Sequence, residues 1–229
     1  VSIAVCGHHR RAAQARELAD RVGGRLALDD GTYGELANHD RAWARALEAD
    51  AQIWQHARAT RWNLDAVRDR WCIVLEDDAV VPDDFAEQAT RVLTGVADER
   101  DTLVSFYLGA ERPTEWQSRI TRAVGVAEAT GASWITSRWL LWGVAVALPS
   151  SAAARMLEQI PERKYRPYDE RLGAWARRAR IPVRYTWPSL ADHAEGPTLI
   201  HHADGQPRDA PRQAWATGTP IPGGPAVEL

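Results

Sequence analysis

Three consecutive acids close the apolar run in 71-WCIVLEDDAVVPDDF-85: Glu76, Asp77 and Asp78 directly follow Cys72 to Leu75. Carboxylates gathered at the end of a buried strand repel one another and lose hydration, so they need a compensating partner. Hard divalent cations such as Mn2+ or Mg2+ take oxygen ligands, keep several waters and bridge to substrate phosphates. A strand end that rigidly offers one or two carboxylates suits such an ion. The plainer reading is a solvated acidic turn, with Asp83 and Asp84 capping the next helix.

Three further stretches carry residues of chemical interest. In 34-GELANHDRAW-43, His39 lies on the same stripe as Leu36 and Trp43, where a hydrogen-bonded core histidine is the plain expectation. In 167-PYDERLGAW-175, Asp169 and Glu170 fall at a helix start, where acids complement the dipole and cap free amides. An acid held there is also placed to act as a general base. In 188-PSLADHAEGPTLIHH-202, His193 follows a strand and is either a cation ligand from a distant part of the chain or an exposed loop histidine.

The elements that must position these residues alternate. Val1–Gly7 reads as a strand. Arg10–Val22 reads as a helix with Ala12, Ala15, Leu18, Ala19 and Val22 on one stripe, ended by Gly23-Gly24. Arg25–Asp30 is a second strand that ends in the acids Asp29 and Asp30. Gly34–Ala49 is helical, and Asp50–Arg70 is Trp-rich and partly helical. Trp71–Glu76 is a third strand, Pro82–Val96 a helix with Phe85, Ala89, Val92 and Val96 inward, and Leu103–Gly109 a fourth strand. Strand and helix in this order predict an α/β fold, a mostly parallel central sheet flanked by helices. Ligands in such sheets sit beyond the carboxyl ends of the strands, and both acid clusters fall at that edge.

The second half is less regular. Glu111–Arg138 reads as a loop or flap, Trp142–Leu148 as a strand, Ser150–Ile160 and Pro167–Arg180 as helices, and Val183–Trp187 as a last strand. Beyond His202 the chain turns to Pro, Gly and Ala, which predicts one domain over residues 1–202 and an extended, poorly packed tail over 203–229.

Composition bounds the answer. The 229 residues suffice for one sizeable domain, and 45% hydrophobic content excludes a disordered chain. A net charge of −3 argues against a uniformly basic nucleic-acid binder. No apolar run approaches the ~20 residues of a membrane span, and the first residues read as a strand and not as a signal-peptide pattern. The two cysteines, Cys6 and Cys72, lie in strand-like runs and read as buried thiols of a reducing, cytoplasmic setting. Eleven tryptophans are many for this length; they are expected in the core or as walls of a cleft on which sugars or bases stack.

In this order the motifs resemble those of glycosyltransferase family 25, the lipopolysaccharide and procollagen galactosyltransferase type. The matching residues are Gly34, His39 and Trp43; Leu75-Glu76-Asp77-Asp78; Gly143-Val144-Ala145 before a helix; Pro167-Tyr168-Asp169; and Pro188 followed by His193. The resemblance spans about residues 1–202, and Leu75–Asp78 is its most specific part. Asn38 stands where the family commonly has Ser.

The resemblance implies a GT-A, Rossmann-like fold and a nucleotide-sugar donor whose diphosphate is clamped by Mn2+ or Mg2+. It implies Asp78 as the metal ligand, His193 as an additional one, and Glu76 or Asp77 reaching the ribose or a bound water. Within the same picture, Asp29 or Asp30 contacts base or ribose, Arg10 or Arg11 the phosphates, and His39 belongs to the donor side. Asp169 is the candidate base for the acceptor hydroxyl, with Glu170 the fallback, and in-line attack would invert the sugar. The acceptor is expected to be a glycan or lipid-linked saccharide. Alternatives are a hydroxymethylated base in DNA, a non-catalytic nucleotide- or cation-binding module, and a nucleotidyltransferase, for which 6-CGHHRR-11 is a poor phosphate loop.

Overall fold

A computed structural model describes residues 1–31, 34–59, 70–96, 101–160, 167–195, 199 and 212–229. Gly196-Pro197, the His pair at 201–202, residues 203–211 of the expected tail and residues 60–69 of the Trp-rich stretch lie outside the described residues. In chain order the elements are β1 (Ser2–His8), a 3-10 turn at His9–Arg11, α1 (Ala12–Arg21), β2 (Arg25–Asp29) and the long α2 (Gly34–Ala59). Then come β3 (Trp71–Glu76), the two-residue β4 (Ala79–Val80), α3 (Phe85–Thr94), β5 (Leu103–Ser105), α4 (Thr114–Thr130) and β6 (Trp134–Ser137). The remainder is β7 (Ala145–Pro149), α5 (Ser150–Gln159), α6 (Tyr168–Arg178), β8 (Val183–Thr186), β9 (Asp192–His193) and β10 (Ala226–Glu228).

Eight strands form one sheet in the order β10-β6-β8-β5-β7-β3-β1-β2, and β4 pairs with β9 in a separate ladder. The central strands β1 and β3 are buried on both faces, as their unbroken apolar runs require. Side-chain alternation sorts them between two cores. Ala4, Cys6, Cys72 and Val74 join the layer built by α2, α4, α5 and α6, whereas Ile3, Val5, Ile73 and Leu75 join that of α1 and α3. Gly7 lets α1 approach closely, because a Cβ there would stand 2.7 Å from the Cβ of Ala15. The result is a mixed α/β fold with a central sheet flanked by helices.

One expectation is qualified and two are corrected. The sheet is mixed: four of its seven strand pairings are parallel, but β7 runs antiparallel to both β3 and β5, and β6 antiparallel to β8. Glu111–Arg138 is no flap; it holds α4 and β6, and Ile120, Ala123, Val124 and Ala127 form a buried helical stripe. The described part of the tail is packed. Its strand β10 pairs in parallel with β6, and the Leu229 N–H donates to the Thr136 carbonyl at 2.8 Å. Proline and glycine punctuate that segment without preventing it from completing the edge of the sheet.

Ending the chain after Gly224 removes β10 and its ladder to β6. With a few net hydrogen bonds at about 1 kcal/mol each, the loss is about 2–3 kcal/mol, a fall of roughly 4–12 °C in Tm. Thermal unfolding of the truncated chain checks this, and an unchanged Tm would restore the reading of an expendable tail.

Candidate active site

The site is built where β1, β2 and β3 end. These three strands are parallel, with Cys6 opposite Glu76 and His8 opposite Asp29, so the residues that follow them share one edge. The antiparallel β7 starts where β3 ends. Its entry residue Val144 accepts a hydrogen bond from the Glu76 N–H at 2.9 Å, which sets Gly143 beside Glu76. A parallel strand would have brought its other end to this place.

Asp77 and Asp78 are both buried, at 6% and 8% exposure. Asp77 accepts the backbone N–H of His8 at 2.6 Å through Oδ2 and Arg11 Nη1 at 3.0 Å through Oδ1. Arg11 Nη1 also donates to Asp78 Oδ2 at 2.5 Å. The same Oδ2 faces His193 Nε2 at 3.3 Å. That encounter is fixed by the backbone: Ala79 pairs with His193 in the β4–β9 ladder, and the Ala194 N–H donates to the Asp78 carbonyl at 2.7 Å. The ladder is tied in turn to residues 212–229, because Asp192 Oδ1 accepts the Ala214 N–H at 2.7 Å.

Electrostatics pushes the two aspartates apart. Burial raises the Asp77 pKa; the His8 amide and Arg11 oppose the rise, the Asp78 charge reinforces it, and the net direction is up. Burial also acts on Asp78, but the His193 imidazole and Arg11 outweigh it and hold that carboxyl below the usual range. Burial opposes a charged His193; Asp78 overcomes this and raises its pKa above 6.5.

A second cluster carries the other motif residues. The His39 ring stacks on Tyr168 with centroids 3.8 Å apart and planes at 14°. Trp43 Nε1 donates to the Tyr168 hydroxyl. A Cβ on Gly143 would lie 3.0 Å from Tyr168 Cδ1 and 3.1 Å from Glu76 Oε1, so only glycine leaves both in place. His39 Nε2 faces Glu76 Oε1 at 3.6 Å. Burial disfavours a charged His39, yet the Cys6 sulfur and Glu76 carry its pKa well above the ordinary value. Asn38 is buried, and its amide donates to the carbonyls of Gly7 and Ala27 at 3.0 and 3.1 Å, locking α2 to the ends of β1 and β2.

A cavity of about 390 Å³ opens at this edge, lined by Arg11, Asp29, His39, Glu76, Asp77 and Asp78 among others. Arg10 and Asp30 are exposed and not part of its lining. Asp169 and Glu170 line a different, larger cavity of about 710 Å³, with Trp116, Trp139 and Trp142. Arg212 lines both. Sequence reasoning missed Arg212, which has no local signal in a Pro/Gly-rich segment. It also missed His8 and His9 as cavity walls, although both lie in the discounted CGHHRR run.

The chemistry of Asp78 and His193 fits a divalent cation. Asp78 Oδ1 is buried without a hydrogen-bond partner among the described residues. His193 Nδ1 lies 2.7 Å from the Ala194 carbonyl, which only accepts, so that nitrogen carries a proton. Nε2 therefore turns either a second proton or a lone pair toward the carboxylate, and a lone pair in that place calls for a cation. Among the described residues no group of three or more His, Cys, Asp and Glu side chains is arranged to hold a metal. Further ligands would have to come from water and substrate, as is usual for Mg2+.

No protein family and no curated protein matches the chain. Among solved structures it is similar to a glycosyltransferase involved in the glycosylation of the major capsid of PBCV-1, at 14% identity over 81% of each chain, with a TM-score of 0.28. A likeness that distant carries no weight for the reaction. No described helix is long and apolar enough to cross a membrane.

The geometry has a pH signature. His193 has its pKa raised on folding, so its pairing with Asp78 contributes fully below about pH 6.5 and fades as pH rises through the folded value. In metal-free protein, histidine NMR is expected to place the His193 midpoint above 6.5, and Asp78→Asn to lower it. A midpoint that does not move in the variant would contradict the pairing.

Proposed function

We propose that the protein is a metal-dependent glycosyltransferase on a GT-A-like, Rossmann-like scaffold. It moves a sugar from a nucleotide-sugar donor to a hydroxyl of a glycan or lipid-linked saccharide. The observation that supports this most is the meeting of Asp77, Asp78 and His193 at the carboxyl end of β3, beside a cavity that also holds Glu76, His39 and Asp29. The motif resemblance assigned these residues to the donor, and they converge from four separate stretches of chain.

Asp78 through Oδ1 and His193 through Nε2 would hold Mn2+ or Mg2+, with water and the donor diphosphate completing the shell. When bound, the ion neutralises charge growing on the leaving nucleoside diphosphate. Arg11 balances Asp77 and Asp78 and lines the cavity, so it is placed to turn toward donor phosphates once the carboxylates are engaged elsewhere. Asp29, at the end of β2, is placed for ribose or base. Its Oδ1 accepts the Gly31 N–H at 2.9 Å, which fixes its orientation.

Asp169 is the proposed base. It sits at the start of α6, where its Oδ1 accepts the Glu170 N–H at 2.7 Å, and it faces the larger cavity. A carboxylate held there receives the acceptor proton as the hydroxyl attacks the sugar from the side opposite the diphosphate, which inverts the anomeric centre. Glu170 lines the same cavity but is exposed, and it is the fallback. Two buried free thiols, Cys6 and Cys72, support a reducing, cytoplasmic setting.

Turnover of a panel of nucleotide sugars with Mn2+ tests the reading. One donor is expected to be consumed by the wild type and not by Asp78→Ala, and the product is expected to show inverted configuration by NMR. Asp169→Asn is expected to slow transfer about 10²–10⁴-fold, the usual weight of a general base. Turnover retained by Asp78→Ala would remove the metal-clamp reading, and a retained anomeric configuration would remove Asp169 as base.

A further inference from the structure

The larger cavity does not end at Asp169. Trp116 and Trp139 line it and also line a third cavity, of about 260 Å³, that continues past Thr136, Arg138 and Glu228. With Arg212 joining the first cavity to the second, the three lie in series from the acidic end of β3 to the outer strands of the sheet. A ligand leaving the second cavity for the third passes the two tryptophans.

Those rings are built as a platform. Trp139 is 44% exposed, unusual for so large an apolar side chain. It is not loose: Arg177 of α6 stacks over it at 4.0 Å, Arg119 lies over Trp116 at 5.3 Å, and the two ring centroids are 5.8 Å apart at 53°. Fixed, tilted aromatic surfaces rimmed by hydrogen-bonding groups suit the apolar faces and hydroxyl edges of sugar rings. The charges favour the same ligand. The lining of the second cavity carries three arginines, Arg112, Arg177 and Arg212, against three acids, Glu115, Asp169 and Glu170. Such a balance offers donors and acceptors without the net positive field that a nucleic-acid track needs.

We infer that the Trp116–Trp139 platform is an acceptor track for a neutral oligosaccharide. The reacting sugar lies beside Asp169 and at least one preceding sugar rests on Trp139, reaching toward Thr136 and Arg138. This rests on the transferase reading and narrows its acceptor from any hydroxyl to a glycan two or more units long.

The test is binding of the full chain to an array of neutral mono- to tetrasaccharides of glucose, galactose and mannose, with a short duplex DNA as a further probe. Disaccharides and longer chains of one series are expected to bind about tenfold more tightly than the monosaccharide, the size of one well-made additional contact. Trp139→Ala is expected to erase that length preference, and Trp139→Tyr, which keeps a flat ring, to retain most of it. Equal binding of all lengths, no binding to any saccharide, a length preference that survives Trp139→Ala, or tighter binding to DNA would each overturn the inference. Stabilisation of the same proteins by UDP or GDP with Mn2+ separates the two levels. If nucleotide binding persists while the length preference is absent, only the acceptor track fails; if no nucleotide binds the wild type, the transferase reading fails with it.

Discussion

Two like charges sit side by side, buried, at the end of a central strand, and much of the structure is arranged around making that tolerable. Isolated buried carboxylates cost several kcal/mol each, and Asp77 and Asp78 also repel. The chain answers with three groups: the His8 amide on Asp77, the Arg11 guanidinium on both, and the His193 ring on Asp78. Each answer is partial. Asp77 stays above its ordinary pKa because burial is not fully offset, and Asp78 keeps a buried oxygen with no hydrogen bond among the described residues. A fold selected for stability alone would place apolar residues there, so packing by itself does not account for the acids.

The topology serves that point. Parallel β1, β2 and β3 deliver their carboxyl ends to one edge. Two of the antiparallel departures bring in what a wholly parallel sheet would not. Reversed β7 delivers its first residues, with Gly143 making room for Glu76 and Tyr168, and the short β4–β9 ladder carries His193 to Asp78. Tyr168, held between His39 and Trp43, ties the start of α6 to α2 and thereby sets Asp169 relative to the first cavity. Several motif residues thus act through packing. Trp43 and Tyr168 are fully buried scaffolding, while Glu76, Asp77 and Asp78 face the cavity.

The parts legible in the sequence are those with local signals. Unbroken apolar runs announced β1 and β3, and the acids after β3 were visible at once because burial and charge conflict there. Strand direction was not legible, since β7 reads the same forwards or reversed. The stripe of α4 was masked by Gly125 and by polar residues between Ile120 and Ala127. Residues 212–229 misled through composition: prolines and glycines suggested a loose tail, yet Trp215 packs on the core and Ala226–Glu228 completes the sheet. Arg212, shared by two cavities, could not be found from neighbours that carry no pattern. Asp169 and Glu170 were read correctly as helix-start acids, but only the fold reveals that they face a separate cavity among tryptophans.

The account turns on whether the unsatisfied oxygen of Asp78 and the ring of His193 grip a cation that engages a diphosphate. Anomalous diffraction from crystals grown with Mn2+ and UDP tests this most directly. A manganese peak is expected within bonding distance of Asp78 Oδ1 and His193 Nε2 and of the diphosphate oxygens, with Arg11 drawn off the carboxylates. Nucleotide bound in the cavity with no manganese at Asp78, and Arg11 still paired to both aspartates, would contradict it.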